Sequence, residues 1–557
     1  MPVQSSESDR RPATPLMMLR ALLLGAVLVA VMTAPTLTRL TEVGRLDTND
    51  GRFSVWNIAW IDHALLTNPA GLLDANIFYP HTGTLAYSEL NLVAGLFGLP
   101  WYAVTGDPLA ALNGSIATGL WLAFVLMWWL VRRLTGSDGA GLVAATAFVF
   151  CPYMSARTAH VQLLMIFVFP LLLIAFHRYV ERPGPSRGAQ LGVTLAIAAL
   201  TCGYYGLFAG CVLGLVALLS AQRAPRYWVG FLVAAVTTAV IVYPVFSAFL
   251  EARAASGAAI RPWEPSDARI YSANLSAYLA SAAFAHEWWL PKLASWQPWK
   301  DVLFPGITLL ILAVAGGFTG WRTRTTRATV VAYGAIAVFA TWASFGPDGG
   351  LYLLMHELVP GMSMLRAPAR LGIVVVFGLA VLGGLAVARL ETRWRWMPAL
   401  LVCLLVAELG VRTEQWGWPS WPLRSRPAIS TAYQRLADLP RGVLLEFPFP
   451  YVTSNYHNHA PAMFWSTYHW QPLVNGYSDL IPPDFNAIAL PINAFPDAAS
   501  FGIAREREVR YVLWHIDRYD DPSRAVLTQR LTEYTDFLRP VVITPDTWLY
   551  EIVKWPS

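Results

Sequence analysis

Long apolar runs separated by short arginine-bearing segments dominate the pattern of this 557-residue chain. After a polar stretch holding Arg10 and Arg11, the first run extends from 17 to about 37. It has the outline of a signal sequence. Pro35, however, follows its one plausible small-residue cleavage site, and many more runs follow, so it reads as a retained anchor. Further runs lie near 109–131, 140–154, 161–177, 189–203, 206–220, 227–249, 304–321, 328–344, 371–388 and 398–412. With the anchor they predict a polytopic α-helical membrane protein of about eleven transmembrane helices, some shorter than the roughly 20 residues of an untilted crossing. The run at 90–105 is read as re-entrant or lying on the surface. Counted as a crossing, it would move every later arginine cluster to the opposite side.

Those clusters, at Arg132-Arg133, 178–187, 223–226, 322–327 and 389–395, then all fall in the cytoplasm, as the positive-inside rule requires. The expected topology puts the N-terminus inside and the C-terminus outside. Segments 38–108, 155–160, 203–206, 250–303, 345–370 and everything after about 413 collect on the outer face, where Asp, His, Trp and Tyr concentrate. Phe53, Trp56, Trp60, Ile61 and Ala64 share one face at helical spacing, which predicts an interfacial helix anchored on the membrane by its tryptophans. Beyond 412 the pattern changes. Strand-like runs at 442–447, 472–477, 510–516 and 541–553 alternate with Pro-rich loops, predicting a small extracytoplasmic α/β domain over 413–557 on a membrane domain spanning 1–412.

Composition narrows the class. Charged residues make up 13% of the chain against about a quarter in soluble proteins, too few to cover a soluble surface. The net charge of +5 sits in the inter-span arginines, which argues against a nucleic-acid partner. Cys151, Cys202, Cys211 and Cys403 lie in apolar runs and read as small buried hydrophobes. There is no P-loop, no dinucleotide fingerprint after a strand and no HExxH helix. His457 and His459 have no obvious third ligand; no cofactor is expected, and a divalent metal stays an open alternative that the sequence does not support.

Candidate chemistry begins right after the anchor. In Asp47-Thr-Asn-Asp50-Gly51-Arg52 two outward carboxylates flank a tight polar turn, suited to general-base work on a hydroxyl or, equally, to capping a helix. The same loop carries Tyr79, His81 and Glu89; Glu89 borders an apolar run, either for a role or as a helix N-terminal acid. Arg157 and His160, with Arg366 and Arg370, are outward cations at span ends. They fit an anionic partner such as phosphate at the outer leaflet, or snorkelling to headgroups. The aromatic loop 250–303, with Trp263, Tyr271 and His286-Glu287-Trp288-Trp289, reads as an interfacial belt.

Together the Asp-bearing first outer loop, the helix after it, about eleven spans and an outer C-terminal domain resemble the GT-C class of membrane glycosyltransferases. More narrowly, Asn49-Asp50-Gly51-Arg52, Phe78-Tyr79-Pro80, Gly83-Thr84-Leu85-Ala86, His160-Val-Gln162 and Pro472-Leu-Val-Asn475-Gly476-Tyr477 resemble a multi-pass bacterial group of that class. The resemblance implies an enzyme of the bacterial cytoplasmic (inner) membrane. It would move a sugar from a polyprenyl-phosphate donor to an extracytoplasmic cell-envelope acceptor in one inverting displacement. The first-loop acid falls on Asp50, with Asp47 the alternative because the two are three apart rather than adjacent. Arg157, His160 or Arg366 would steady the leaving phosphate, and the resemblance gives the aromatic loop 250–303 a second reading, as a seat for acceptor sugars. A secondary transporter or flippase predicts charges inside spans and two related halves, which this sequence lacks. A non-catalytic scaffold predicts that Asp50 and Glu89 are dispensable.

Overall fold

The computed structural model describes residues 14–44, 48–255, 257, 262–411, 421–422 and 429–556; Asp47 lies outside them. The chain divides into two compact units, both discontinuous in sequence. One comprises Met1–Arg39, Gly114–Pro244 and Arg261–Pro419; the other comprises Leu40–Asn113, Val245–Ile260 and Ser420–Ser557.

The first unit is helical. Helix α1, Pro15–Met32, starts at the Thr14 cap and stops short of the predicted end at 37. Pro35 explains the stop: it has no N–H and disfavours helical backbone at the residue before it. Tracing the chain onward, α2, Asn49–Thr67, and α3, Leu92–Thr105, belong to the second unit, while α4 is Pro108–Thr135 and α5 Asp138–Val149. The hub is the helix Gly372–Arg393, buried along most of its length between α5 and the helices Ile307–Trp321 and Arg324–Ser344. Among the described residues four helices, at Pro15–Met32, Pro108–Thr135, Pro225–Ala255 and Pro368–Arg393, are long and apolar enough to cross a membrane. In Pro225–Ala255 only 11% of the most apolar window is buried, and Leu232, Val236 and Val240 point outward. An aliphatic surface of that length is stable only in hydrocarbon, and this is a multi-pass membrane protein. Gly203–Leu219, Ile307–Trp321 and Met397–Leu409 are apolar but shorter.

The second unit holds a four-stranded sheet. Its strands are β3 Val443–Phe447, β4 Val509–His515, β5 Leu538–Ile543 and β6 Thr547–Ile552, in the order β3-β4-β6-β5; a short ladder joins β1, Val43–Gly44, to β2, Trp421–Pro422. β3 and β4 run parallel, and the remaining pairs in the sheet are antiparallel. The run at 541–553 is thus a hairpin, turned where Thr544 and Thr547 hydrogen-bond each other, and not one strand. The run at 472–477 joins β3 through a single bridge. Its other edge takes up the first-loop segment: Tyr79 N donates to Leu473 O at 2.9 Å and Phe78 N to Asn475 O at 3.2 Å. Gly476 is required there, because a Cβ would lie 2.6 Å from the Phe78 ring.

Helix α2 runs through the middle of this unit. The Thr48 hydroxyl caps it by accepting from Gly51 N at 3.1 Å, and Asn68-Pro69 ends it. It does not lie on a membrane by its tryptophans, as its spacing predicts. Trp56 Nε1 donates to Asn76 Oδ1 and Trp60 Nε1 to Leu72 O, both at 2.9 Å, and both rings belong to the core beneath the sheet. The apolar run at 90–105 is α3, 14 residues long and packed on α2.

Candidate functional site

The first turn of α2 opens onto a cleft of about 660 Å³ in the second unit. One wall comes from α2, through Asn49 and Arg52; the rest comes from the loop after β3 and the segment following it, with Asn493 and, after β4, Arg518. Arg52 Nη1 donates to Asn49 Oδ1 at 2.9 Å, and Asn49 Nδ2 to Asn458 Oδ1 at 3.0 Å. The far wall is pinned by Asn493, whose amide exchanges two hydrogen bonds with the Phe449 backbone. Tyr451 stands 52% exposed at the rim, a large aromatic surface left facing solvent. Amides, guanidinium groups and an exposed ring around a cavity of this size suit a polyhydroxylated ligand: hydroxyls pair with the polar groups, and the C–H face of a pyranose covers the ring.

Asp50 sits in this first turn between Asn49 and Gly51, partly exposed, adjoining the cleft in sequence without lining it. Glu89 is partly exposed two residues before Asn91. Asn91 takes a left-handed backbone, φ 52°, and starts α3 with its amide on Glu89 O and Asn57 Oδ1. Tyr79 and His81 lie together elsewhere on the same unit. Tyr79 OH donates to Glu508, a bond that raises the phenol above its usual range. His81 Nε2 lies 2.8 Å from Asp484 Oδ1, and Arg507 pairs with the other oxygen of that carboxylate. Burial pulls Asp484 upward, but Arg507 and His81 outweigh it and hold the group below its ordinary value.

The cations predicted at the outer ends of spans gather in the first unit. Arg157 is ion-paired to Asp301 and lies 5.0 Å from the Tyr153 ring, whose hydroxyl donates to Arg370 O at 3.4 Å. The Arg370 guanidinium stacks on Tyr204 at 4.2 Å, and Arg366 N donates to the same phenol at 3.2 Å. The Arg366 guanidinium lies over Trp263 at 4.5 Å and Tyr271 at 5.0 Å, with no carboxylate partner among the described residues. His160 is half-buried three residues from Arg157. Elsewhere in this unit His286, whose Nδ1 bonds Ser281, reaches Glu408, which accepts from the first backbone N–H groups of Ile307–Trp321. That part of the aromatic loop is therefore helix capping.

Sequence reasoning passed over Asp62, a fully buried carboxyl on α2, and the polar groups at the ends of β3 and β4. Their signal was available: an acid or histidine inside or closing an otherwise apolar run, as in Val-Leu-Leu-Glu446 and Tyr-Val-Leu-Trp-His515.

No curated protein matches the chain. Among solved structures it is similar to the Archaeoglobus fulgidus oligosaccharyltransferase in the apo form. The identity is 12% over 90% of this chain and 70% of that one, with a TM-score of 0.48. It is also similar to ArnT from Cupriavidus metallidurans, at 14% identity over 96% of this chain and 97% of that one. The TM-score is 0.41 for the apo state and 0.39 for the state bound to undecaprenyl phosphate. Residues 22–408 match the family described as "Domain of unknown function (DUF6311)", and the chain belongs to that family.

Proposed function

We propose that this chain is an integral membrane glycosyltransferase that moves a sugar from a polyprenyl-phosphate carrier to an extracytoplasmic acceptor. The observation that supports it most is Asp50. This partly exposed carboxylate, in the first turn of α2 shortly after the anchor, adjoins in sequence a cleft of sugar size and chemistry. Asp50 takes the proton of an acceptor hydroxyl as that oxygen attacks the anomeric carbon, with Asp47 the neighbouring acid and Glu89 the next in line. The bond to the carrier phosphate breaks on the opposite face, so configuration inverts. The phosphate leaves with its charge met by arginine. Arg366 is assigned first, because Arg157 is committed to Asp301 while Arg366 rests on aromatic rings without a carboxylate partner among the described residues. Arg370 and His160 complete the cationic face; Tyr79 and His81 are assigned to the acceptor side.

About eleven spans carry the chain through a bacterial cytoplasmic membrane, N-terminus inside and C-terminus outside. Residues 1–412 form the transmembrane catalytic part and 413–557 the outer α/β part. Incubating purified protein with labelled polyprenyl-phosphate sugars and a membrane extract tests the reading. Label should move into extract glycan, glycolipid or glycoprotein with inverted anomeric configuration. Retained configuration, or label that only crosses the bilayer without transfer, would overturn it.

A further inference from the structure

A second polar centre lies beneath the cleft and takes no part in the scheme above. In an open α/β sheet, ligands settle outside the carboxyl ends of parallel strands, where backbone and side chains diverge. β3 and β4 are such a pair, and their carboxyl ends carry Glu446 and His515. Glu446 is 2% exposed. Its Oε2 accepts from Tyr433 OH at 2.8 Å and lies 3.0 Å from His515 Nε2. Its Oε1 has no partner among the described residues. A buried carboxylate oxygen without a donor costs more than one left in water, so its retention points to a ligand that supplies the donor.

Beside this carboxylate is a recess lined by Glu446, His459, Asn475 and His515. Pro448, Pro450, Asn458 and Arg518 line both this recess and the 660 Å³ cleft above, so the two form one continuous depression. The recess is narrow, about 10 Å³, room for a hydroxyl but not for a ring. Arg518 is exposed at the junction and has no carboxylate partner among the described residues, while Trp465 and Tyr451 offer ring faces higher up.

We infer that this depression binds a sugar residue bearing a carboxylate or phosphate group. A ring hydroxyl donates to Glu446 Oε1, the anion pairs with Arg518, and the pyranose face covers Tyr451 or Trp465. The hydroxyl goes to the carboxylate and the anion to the guanidinium because the reverse would set two negative charges together. Arg52 adds a second positive group on the opposite wall. The inference does not depend on transferase activity, because binding is read without any donor.

The test uses the full chain in nanodiscs and three trisaccharides ending in glucuronate, glucose 6-phosphate or glucose, followed by titration calorimetry. At least one anionic probe should bind about tenfold tighter than the neutral one, the increment of a charge-assisted hydrogen bond. The two anionic arms tell which anion the site takes. Arg518→Ala, an exposed change that leaves the sheet untouched, should abolish that preference while Arg518→Lys keeps part of it. Glu446→Gln should weaken all three probes. Equal affinity for charged and neutral probes, no binding by any of them, or a charge preference that survives Arg518→Ala would overturn the inference.

Discussion

Asp62 is the residue whose environment most conflicts with its chemistry. It is fully buried on α2, and neither carboxylate oxygen has a partner among the described residues. Burial pushes its pKa from 3.8 up to about 8. Gly98 makes this packing possible, since a Cβ there would stand 2.8 Å from Asp62 Oδ2. A carboxyl whose folded pKa is raised stabilises the fold while protonated; that contribution is complete below 3.8 and is lost as pH climbs through about 8. Wild-type protein should therefore melt at falling temperature from pH 5 to 9. Asp62→Asn should flatten that slope and melt roughly 5 °C higher at pH 9. Parallel curves for the two proteins would show that Asp62 is not the titrating group. Arg157 poses the complementary question. Its pairing with mostly buried Asp301 makes Arg157→Ala a stability change first, about 3 kcal/mol or more, because a carboxylate is left uncompensated. Replacing both partners with apolar residues should restore the melting temperature. A single variant that melts like wild type would free Arg157 for a direct role with phosphate.

Among the elements, close helix contact carries the first unit. In Ile307–Trp321, a Cβ on Gly316 would stand 1.8 Å from Leu382 O of the hub helix, whereas one on Gly317 would meet nothing within 4 Å. Gly316→Ala should thus cost about 1–3 kcal/mol by forcing the helices apart, and Gly317→Ala should be neutral. Equal melting temperatures for the two would mean that these backbones do not touch. The same contrast shows what a sequence exposes. Apolar runs and the strand pattern at 442–447 and 510–516 are local, and the helices and strands appear there with ends moved by a few residues. The fate of α2 is not local. Trp56 and Trp60 have the spacing of a membrane-surface helix, but their indole N–H groups are satisfied by Asn76 and Leu72 across a loop. The edge pairing of 78–79 with 473–475 joins segments nearly 400 positions apart, and no periodicity marks it. The motif residues Phe78, Asn475 and Gly476 stood out in the sequence, while the reason they belong together did not.

Over the whole molecule, low charge and long apolar runs already exclude a soluble protein. The outward aliphatic surface of Pro225–Ala255 has the same cause. The candidate residues were legible as types: acids after the anchor, arginines at span ends. Their pairing was not, because Asp301 and the aromatic seats of Arg366 and Arg370 lie far off in sequence. The central proposal is that Asp50 serves as base in transfer from a lipid carrier. The most direct test measures polyprenyl phosphate released by purified protein in nanodiscs given lipid-linked sugars and membrane extract, comparing wild type, Asp50→Asn and Glu89→Gln. Release by wild type that falls about a thousandfold in Asp50→Asn, at unchanged melting temperature and with Glu89→Gln much less affected, is the predicted result. Undiminished release by Asp50→Asn would contradict it and move the base to another acid.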